Sequence, residues 1–381
     1  MRKYKKFVGL LLIILFQLIL TACGKDLPFP EPTLTEEDLE NKFYYHMIET
    51  EEAKLTYKEL YEGLMNRSDN IYIHSNSEIS IREMLDFIDY DYPEIFWCDA
   101  ETKVTYTSMD EWGIEYMIIS PDYAYSQEEV SVMKQEIADA TQECIEKCKE
   151  KETDYKKVKY IYKYLIDTID YEYSPNDQNI YSALVSKETV CAGYAKSLQY
   201  LLEKAGIECY TIGGRAKRTD GSMGNHAWNI VNCDGEYYYV DATWADPKGQ
   251  NKKTLKLRIY DYLCCSEAEL SDTHERDYDD KLPKCTSEKF NYYRMNDMFY
   301  DSYSKKEIFS VMKKDISKKK KHSTFKFANE KDYKKALKAV GGNLLNDALQ
   351  YQMKYHGMRK SSCTYDYDNT LYKINVYWSY K

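Results

Sequence analysis

No feature of this chain restricts its fold more than the pair Asp234-Gly235. The residues before it, His226 to Asn232, and after it, Glu236 to Asp241, alternate in the period-two pattern of strands. Asp-Gly is a favoured pair for a two-residue type I′ turn, so the two runs read as a β-hairpin. The turn sets the register. With Cys233 opposite Glu236, His226 falls opposite Thr243, and Asp241 lies two residues along on the same face. Diagonal neighbours of this kind stand roughly 7–8 Å apart, within reach of a carboxylate and a ring nitrogen. A slip of one residue would put the two side chains on opposite faces. The same register predicts Tyr237 and Tyr239 on the face of Asp241, with Tyr238 and Val240 pointing the other way.

Upstream, Thr189 reads as a helix cap, and Ala192, Ala195, Leu198, Leu202 and Ala205 recur at helical spacing until Gly206 ends the run. Cys191 then lies in the first turn, where unpaired backbone N–H groups and the positive end of the helix dipole favour a thiolate. Taken singly, Cys191 reads as a small buried hydrophobe, His226 as a satisfied strand histidine and Asp241 as a strand-end carboxylate. Together, thiol, imidazole and carboxylate could supply a nucleophile, a general base and its orienting group.

The flanking residues add to this. Val190-Cys191-Ala192-Gly193-Tyr194-Ala195, Asn225-His226-Ala227-Trp228-Asn229 and Val240-Asp241-Ala242-Thr243-Trp244 resemble, in order and in predicted elements, the core of the transglutaminase-like superfamily over about residues 155–247. The resemblance implies an α+β, papain-like core, a Cys-bearing helix packed on an antiparallel sheet bearing His and Asp, flanked here by smaller α+β modules. It further implies Cys191 as nucleophile, His226 as general base and later acid, and Asp241 as the residue that orients the imidazole. Two N–H donors are wanted for the oxyanion. The backbone of Cys191 is one, and Tyr181 or Gln178 is a candidate for the other.

The chain opens with an export signal: basic Arg2, Lys3, Lys5 and Lys6, then an apolar run from Phe7 to Leu20, too short for a comfortable membrane span. Leu20-Thr21-Ala22-Cys23 resembles a bacterial lipobox, which implies cleavage before Cys23 and its acylation. The expected location is therefore the extracytoplasmic face of the cell membrane, held by lipid rather than by a span. Loss of those four cations would take the net charge from −10 to −14. No basic field is left to attract nucleic acid, and Lys318 to Lys321 reads as a solvated run.

The expected organisation is a signal peptide (1–22), a tether (23–35), an N-terminal α+β region (36–126), the catalytic domain (127–289) and a C-terminal α+β module (290–381). Glu36 to Met65 reads as largely helical, Thr153-Asp154 as the start of an amphipathic helix, and Glu330 to Lys354 as one long helix. Tyr171 to Asn179 is a polar connection expected to line a cleft, and Asp246-Pro247-Lys248-Gly249 breaks the strand after the hairpin. Tyr260 to Pro283, with His274, Asp277, Asp279 and Asp280, reads as a solvated acidic loop rather than a metal site. Of 11 cysteines, nine remain after Cys23 and Cys191, an odd number that cannot all pair within one chain; most read as buried apolar residues.

No His-Glu-x-x-His, Gly-x-Ser-x-Gly, Walker A or Gly-x-Gly-x-x-Gly run occurs. What remains is cysteine acyl chemistry on a protein or peptide substrate, with no cofactor and no metal. Water as acceptor gives a protease or amidase, and an amine gives an acyl transferase. The alternative is a non-catalytic cell-surface binding or structural protein built on the same fold. The sequence sets no oligomeric state.

Overall fold

The computed structural model describes residues 29–74, 81–98, 104–111, 114–218, 220–245, 260–278 and 280–380. The signal run, the lipobox with Cys23, Asp246-Pro247-Lys248-Gly249 and Asp279 lie outside them. Among the described residues no helix is long and apolar enough to cross a membrane. The chain forms two compact units, the first ending at Asp89 and taking in Trp97–Gln127, the second comprising Tyr90–Phe96 and Glu128–Lys381.

In the first unit, the stretch from Glu36 to Met65 is turns followed by two helices, α1 (Phe43–Met47) and α2 (Glu51–Met65), rather than one. They part at Ile48, whose extended backbone leads to Thr50, and the Thr50 hydroxyl caps α2 by accepting from Ala53 N at 3.2 Å. After β1 (Ile71–Ile73) and α3 (Ile81–Asp91), β2 (Val104–Glu111) and β3 (Ile114–Pro121) complete an antiparallel sheet of order β1-β3-β2. Tyr44, Tyr57, Leu60, Leu64 and Ile73 are buried with Trp97, whose indole donates to Leu64 O at 3.0 Å.

The second unit begins with α4 (Gln127–Lys149) and α5 (Asp154–Thr168), the latter capped by Thr153 through Lys156 N at 3.3 Å. Val158, Ile161, Tyr162 and Leu165 make its buried face. Two-residue strands β4 (Asp170–Tyr171) and β5 (Glu188–Thr189) pair in parallel, and α6 (Cys191–Lys204) follows. Then come β6 (Cys209–Lys217), β7 (Met223–Cys233), β8 (Glu236–Val240), β9 (Leu263–Cys265), a short α7 (Glu267–Leu270) and β10 (His274–Arg276). The strands form an antiparallel sheet of order β10-β6-β7-β8-β9. β7 and β8 pair from Cys233 opposite Glu236 to Asn229 opposite Val240, the register the Asp-Gly turn predicts. Asp234 and Gly235 have φ of 53° and 84°, the two positive values of a type I′ turn. Tyr238, Tyr239 and Val240 are all buried, so both faces of the sheet are covered there.

The C-terminal part of this unit has its own apolar core, including Ile308, Met312, Phe325, Phe327, Ile374 and Trp378. After α8 (Tyr292–Met295), β11 (Phe299–Tyr300), α9 (Lys305–Ser317), β12 (His322–Phe327), α10 (Glu330–Ala339), α11 (Leu345–His356), β13 (Ser362–Asp368) and β14 (Lys373–Ser379) give a sheet of order β11-β12-β14-β13. The long helix expected from Glu330 is broken over Val340–Leu344, where Gly342 leaves helical geometry (φ −102°, ψ −130°). Two adjacent glycines resist such a break least. Lys326 on β12 bonds Glu269 of α7 at 2.8 Å, and Lys373 on β14 bonds Asp261. Ten cysteines among the described residues are unpaired thiols; only Cys191 and Cys363 of these are not buried.

Candidate active site

α6 starts where parallel strand β5 ends, and its cap is Val190 rather than Thr189. Val190 has no side-chain oxygen to offer, so the cap residue's side chain satisfies none of the first-turn N–H groups around Cys191. Thr189 is buried and its hydroxyl is spent on Asp177 O and Ser182 Oγ, tying the segment ahead of the helix to the chain before it. Gly193 is required by close approach. A Cβ there would lie 1.9 Å from Thr189 Oγ1 and 3.0 Å from Asn179 O. Gly193 thus lets the first turn press against the segment that delivers it. Two buried amides then dock α6 on the sheet: Asn229 Nδ2 donates to Ala195 O at 2.9 Å, and Gln199 Oε1 accepts from Thr211 N at 3.0 Å. Asn229 is three residues beyond His226, so the strand that carries the imidazole is fixed to the helix that carries the thiol.

Asp241 closes the arrangement. Its backbone N–H donates to Tyr262 O at 2.9 Å and its Oδ1 accepts from Trp244 N at 3.0 Å, leaving Oδ2 directed at His226 Nε2, 2.7 Å away. The Cys191 thiol stands near enough to the same imidazole to favour its charged form. With Nε2 occupied by the carboxylate, Nδ1 is the nitrogen left for the thiol. The Asp241 side chain has no exposure and that of His226 has 7%, while Cys191 is half-buried. Burial works against charge on His226, but the Asp241 carboxylate, its hydrogen bond and the Cys191 thiol overcome this and push the imidazole up to about 10. Burial likewise opposes ionisation of Asp241. The His226 charge and the hydrogen bonds from His226 and His274 nevertheless hold its carboxyl well below the usual range.

His274 does not belong to a solvated acidic loop. It is 4% exposed on β10, paired with Ala216 of β6, and its Nε2 lies 3.2 Å from Asp241 Oδ2. Asp277 and Asp280 are exposed as expected. The three side chains bring possible ligand atoms within 4.8 Å of one another. The 2.7 Å Nε2···Oδ2 separation is that of a shared proton, whereas two ligands of one tetrahedral zinc would stand roughly 3.3 Å apart at metal–ligand distances near 2 Å. Nothing in the sequence marks His274, one of six histidines, as different from the others.

An open cleft of about 590 Å³ runs past His226 and Trp244. Tyr171 and Tyr173 line it, as the polar connection predicts, and Lys217, Arg218, Asp368, Thr370 and Leu371 stand around it. Asp368 ends β13 and Thr370 and Leu371 lie in the β13–β14 turn, so the C-terminal module forms part of the wall. Of the two oxyanion candidates, Tyr181 has its hydroxyl committed to Glu136 at 2.7 Å. Gln178 follows Asp177, whose carbonyl accepts from Val190 N at 3.3 Å, and its own carbonyl accepts from Lys196 Nζ at 3.0 Å. That places Gln178 beside the start of α6.

Parts of this chain are similar to known proteins. The kyphoscoliosis peptidases of Homo sapiens and Mus musculus are 29% and 28% identical to this chain over 108 residues, spanning 25% of this chain and 16% of theirs. The crystal structure of a TGase covers 50% of this chain and 53% of its own, at 14% identity and a TM-score of 0.27. Residues 141–242 match the transglutaminase-like superfamily, a stretch that includes Cys191, His226 and Asp241 and excludes His274. The part of the chain that holds the thiol, the imidazole and the carboxylate is a transglutaminase-like superfamily domain of mixed α+β fold.

Proposed function

We propose that the protein is a surface-anchored cysteine enzyme that breaks peptide or carboxamide bonds through a thioester on Cys191. The observation that carries this is the imidazole of His226 at the edge of an open cleft, bonded by a fully buried carboxylate, with the half-buried Cys191 as its neighbour. Cys191 Sγ attacks the carbonyl carbon. The oxyanion is received by the uncapped N–H of Cys191 and by Gln178, and His226 gives its proton to the departing amine. Asp241 keeps the imidazolium aligned and stabilised while this happens. Water, or a second amine, then resolves the thioester with His226 as base. The kyphoscoliosis relatives carry the name peptidase, which favours water as the acceptor. The cleft points the same way, since it is open to solvent.

Alkylation of the folded chain at mildly acidic pH with peptide mapping tests the first step. Cys191 should react well ahead of Cys209 and Cys264, which are buried and whose thiols burial pushes well up. Trapping an acyl group on Cys191 by mass spectrometry would identify the substrate, whereas preferential labelling of another thiol, with Cys191 inert, would leave a binding protein on an enzyme's fold. The anchor is tested separately. Cys23→Ala should abolish lipid modification, and a variant processed and retained like the wild type would refute anchoring.

A further inference from the structure

His226 and His274 reach Asp241 from opposite sides of one strand. His226 faces Gly214 of β6 and His274 faces Ala216, two positions along on the same face. Both positions are small. A Cβ on Gly214 would lie 2.1 Å from Glu275 O and 2.7 Å from the Trp228 ring, so the missing side chain lets the β10 backbone and the Trp228 ring close in on the strand between the histidines. Their centroids are 5.5 Å apart, and Trp228 and Trp244 pack against His274 at 4.9 and 4.6 Å. In this dry setting a polar contact is stronger than in water, and an unmet one costs more.

The proton on His274 can be assigned. Thr273 Oγ1 lies 2.8 Å from His274 Nδ1 and 3.1 Å from Leu270 O, and a hydroxyl has one proton to give. If it goes to Nδ1, the ring is the Nε2–H tautomer, and Nε2–H donates to Asp241. If it goes to Leu270 O, Nδ1–H donates to the hydroxyl. Nε2 must then carry a second proton, or face the carboxylate with a bare lone pair. In every arrangement free of that repulsion, Nε2–H donates to Oδ2.

We propose that His274 is a positioning residue for the site: by donating to the same oxygen of Asp241 that His226 uses, it fixes the carboxylate in the plane His226 needs. The proposal rests on the triad reading, and it adds a residue outside the matched domain. His274 also draws part of the carboxylate's charge away from His226. The other titratable groups facing this pair are Cys191 from α6, Tyr162 from α5, Tyr262 ahead of β9 and Cys265 on β9. His226 and His274 share Oδ2, so the loss of His274 acts directly on the His226 contact.

The test uses the full chain with His274→Phe, His274→Gln and His274→Asn. Two readouts are taken: the His226 ring titration by NMR and the pH profile of Cys191 alkylation. His274→Phe fills the space and removes the donor, so the rate should fall roughly tenfold, the value of one hydrogen bond of about 1.4 kcal/mol. The His226 midpoint should rise by about half a unit to one unit. Gln carries an N–H at the Nε2 position and should restore most of both; Asn is too short to reach Asp241 and should behave like Phe. If the Phe variant does not fold, the Gln and Asn pair decides. Variants that fold yet leave the His226 titration at its wild-type midpoint would overturn the proposal. An inert Cys191 in the wild type, with the His226 midpoint still moved by Asn, would sink the triad chemistry and uphold the contact.

Discussion

Asp241 and Asp261 are both buried to zero side-chain exposure, and both carboxyls are held below the usual range although burial opposes it. Their partners differ. Asp261 is held by Lys373, with Lys326 close enough to add to the field, and both cations reach it from the C-terminal module. A lysine ammonium keeps its proton throughout the physiological range, so this contact is a fixed joint between the module and the domain. Asp241 is held by two imidazoles, and one of them stands beside a thiol at a cleft. A buried carboxylate with a depressed pKa therefore does not by itself mark a working site. On the proposed function, what distinguishes Asp241 is that its partner His226 can pass a proton to a group in the cleft.

Exchanging each carboxylate for its amide separates the two uses. Asp241→Asn keeps the shape and removes the charge that supports the imidazolium, so turnover should drop by roughly 10³–10⁴-fold. Its melting temperature should fall less than that of Asp261→Asn, because His226 can give up its proton once the carboxylate is gone and a lysine does not. The latter leaves Lys373 and Lys326 facing a neutral group in a buried joint and should cost about 3–5 kcal/mol of stability. Its turnover per folded molecule should stay at the wild-type level. Urea unfolding beside an acyl-transfer assay checks both, and equal activity losses in the two variants would erase the distinction.

The same contrast explains which parts of the chain can be read from its residues. The hairpin register is local: two residues of turn chemistry place Glu236 opposite Cys233 and carry the pairing to Val240. The Cys191 helix is equally local, although its cap is Val190, one residue past Thr189, because Thr189 offers its hydroxyl to Asp177 and not to the helix. Contacts between distant segments leave no such trace. His274 is 33 residues from Asp241, and Lys373 is 112 from Asp261. No periodicity spans such gaps. The break at Gly341-Gly342 is local too, but the helical pattern on both sides of it masks it in the sequence.

Titration should distinguish the two carboxylates more gently than mutation does. Asp241 and Asp261 both have folded values below their unfolded ones near 3.8, so each contributes stability that is complete above about pH 4 and is lost as pH falls further. His226 has a folded value of about 10 against 6.5 unfolded. Its contribution is complete below about 6.5 and fades as pH rises through about 10. Asp241→Asn should therefore flatten an acid limb and an alkaline limb of the stability profile, and Asp261→Asn an acid limb alone. Melting curves taken from pH 3 to 10.5 would check this, and an alkaline limb untouched by Asp241→Asn would detach His226 from Asp241.

The smallest change proposed is one methyl group, placed once in the site and once in the module. At Gly193 the added Cβ meets Thr189 Oγ1 at 1.9 Å, and that hydroxyl cannot move aside without losing Asp177 O and Ser182 Oγ. The start of α6 must shift instead, at a cost of about 1–3 kcal/mol. Cys191 lies two residues away in the same turn and moves with it. At Gly341 the nearest atom is Tyr365 Oη at 3.2 Å, the far end of a side chain with room to swing. Gly341→Ala should leave Cys191 alkylation unchanged. Gly193→Ala should slow it by more than its loss of stability would suggest, because a thiol displaced by a few tenths of an ångström loses its line to His226 Nδ1 before the helix unfolds. Equal alkylation rates in the two variants, with Gly193→Ala still folded, would mean that the first turn of α6 tolerates movement and that the thiol's position is not set by its close packing on Thr189.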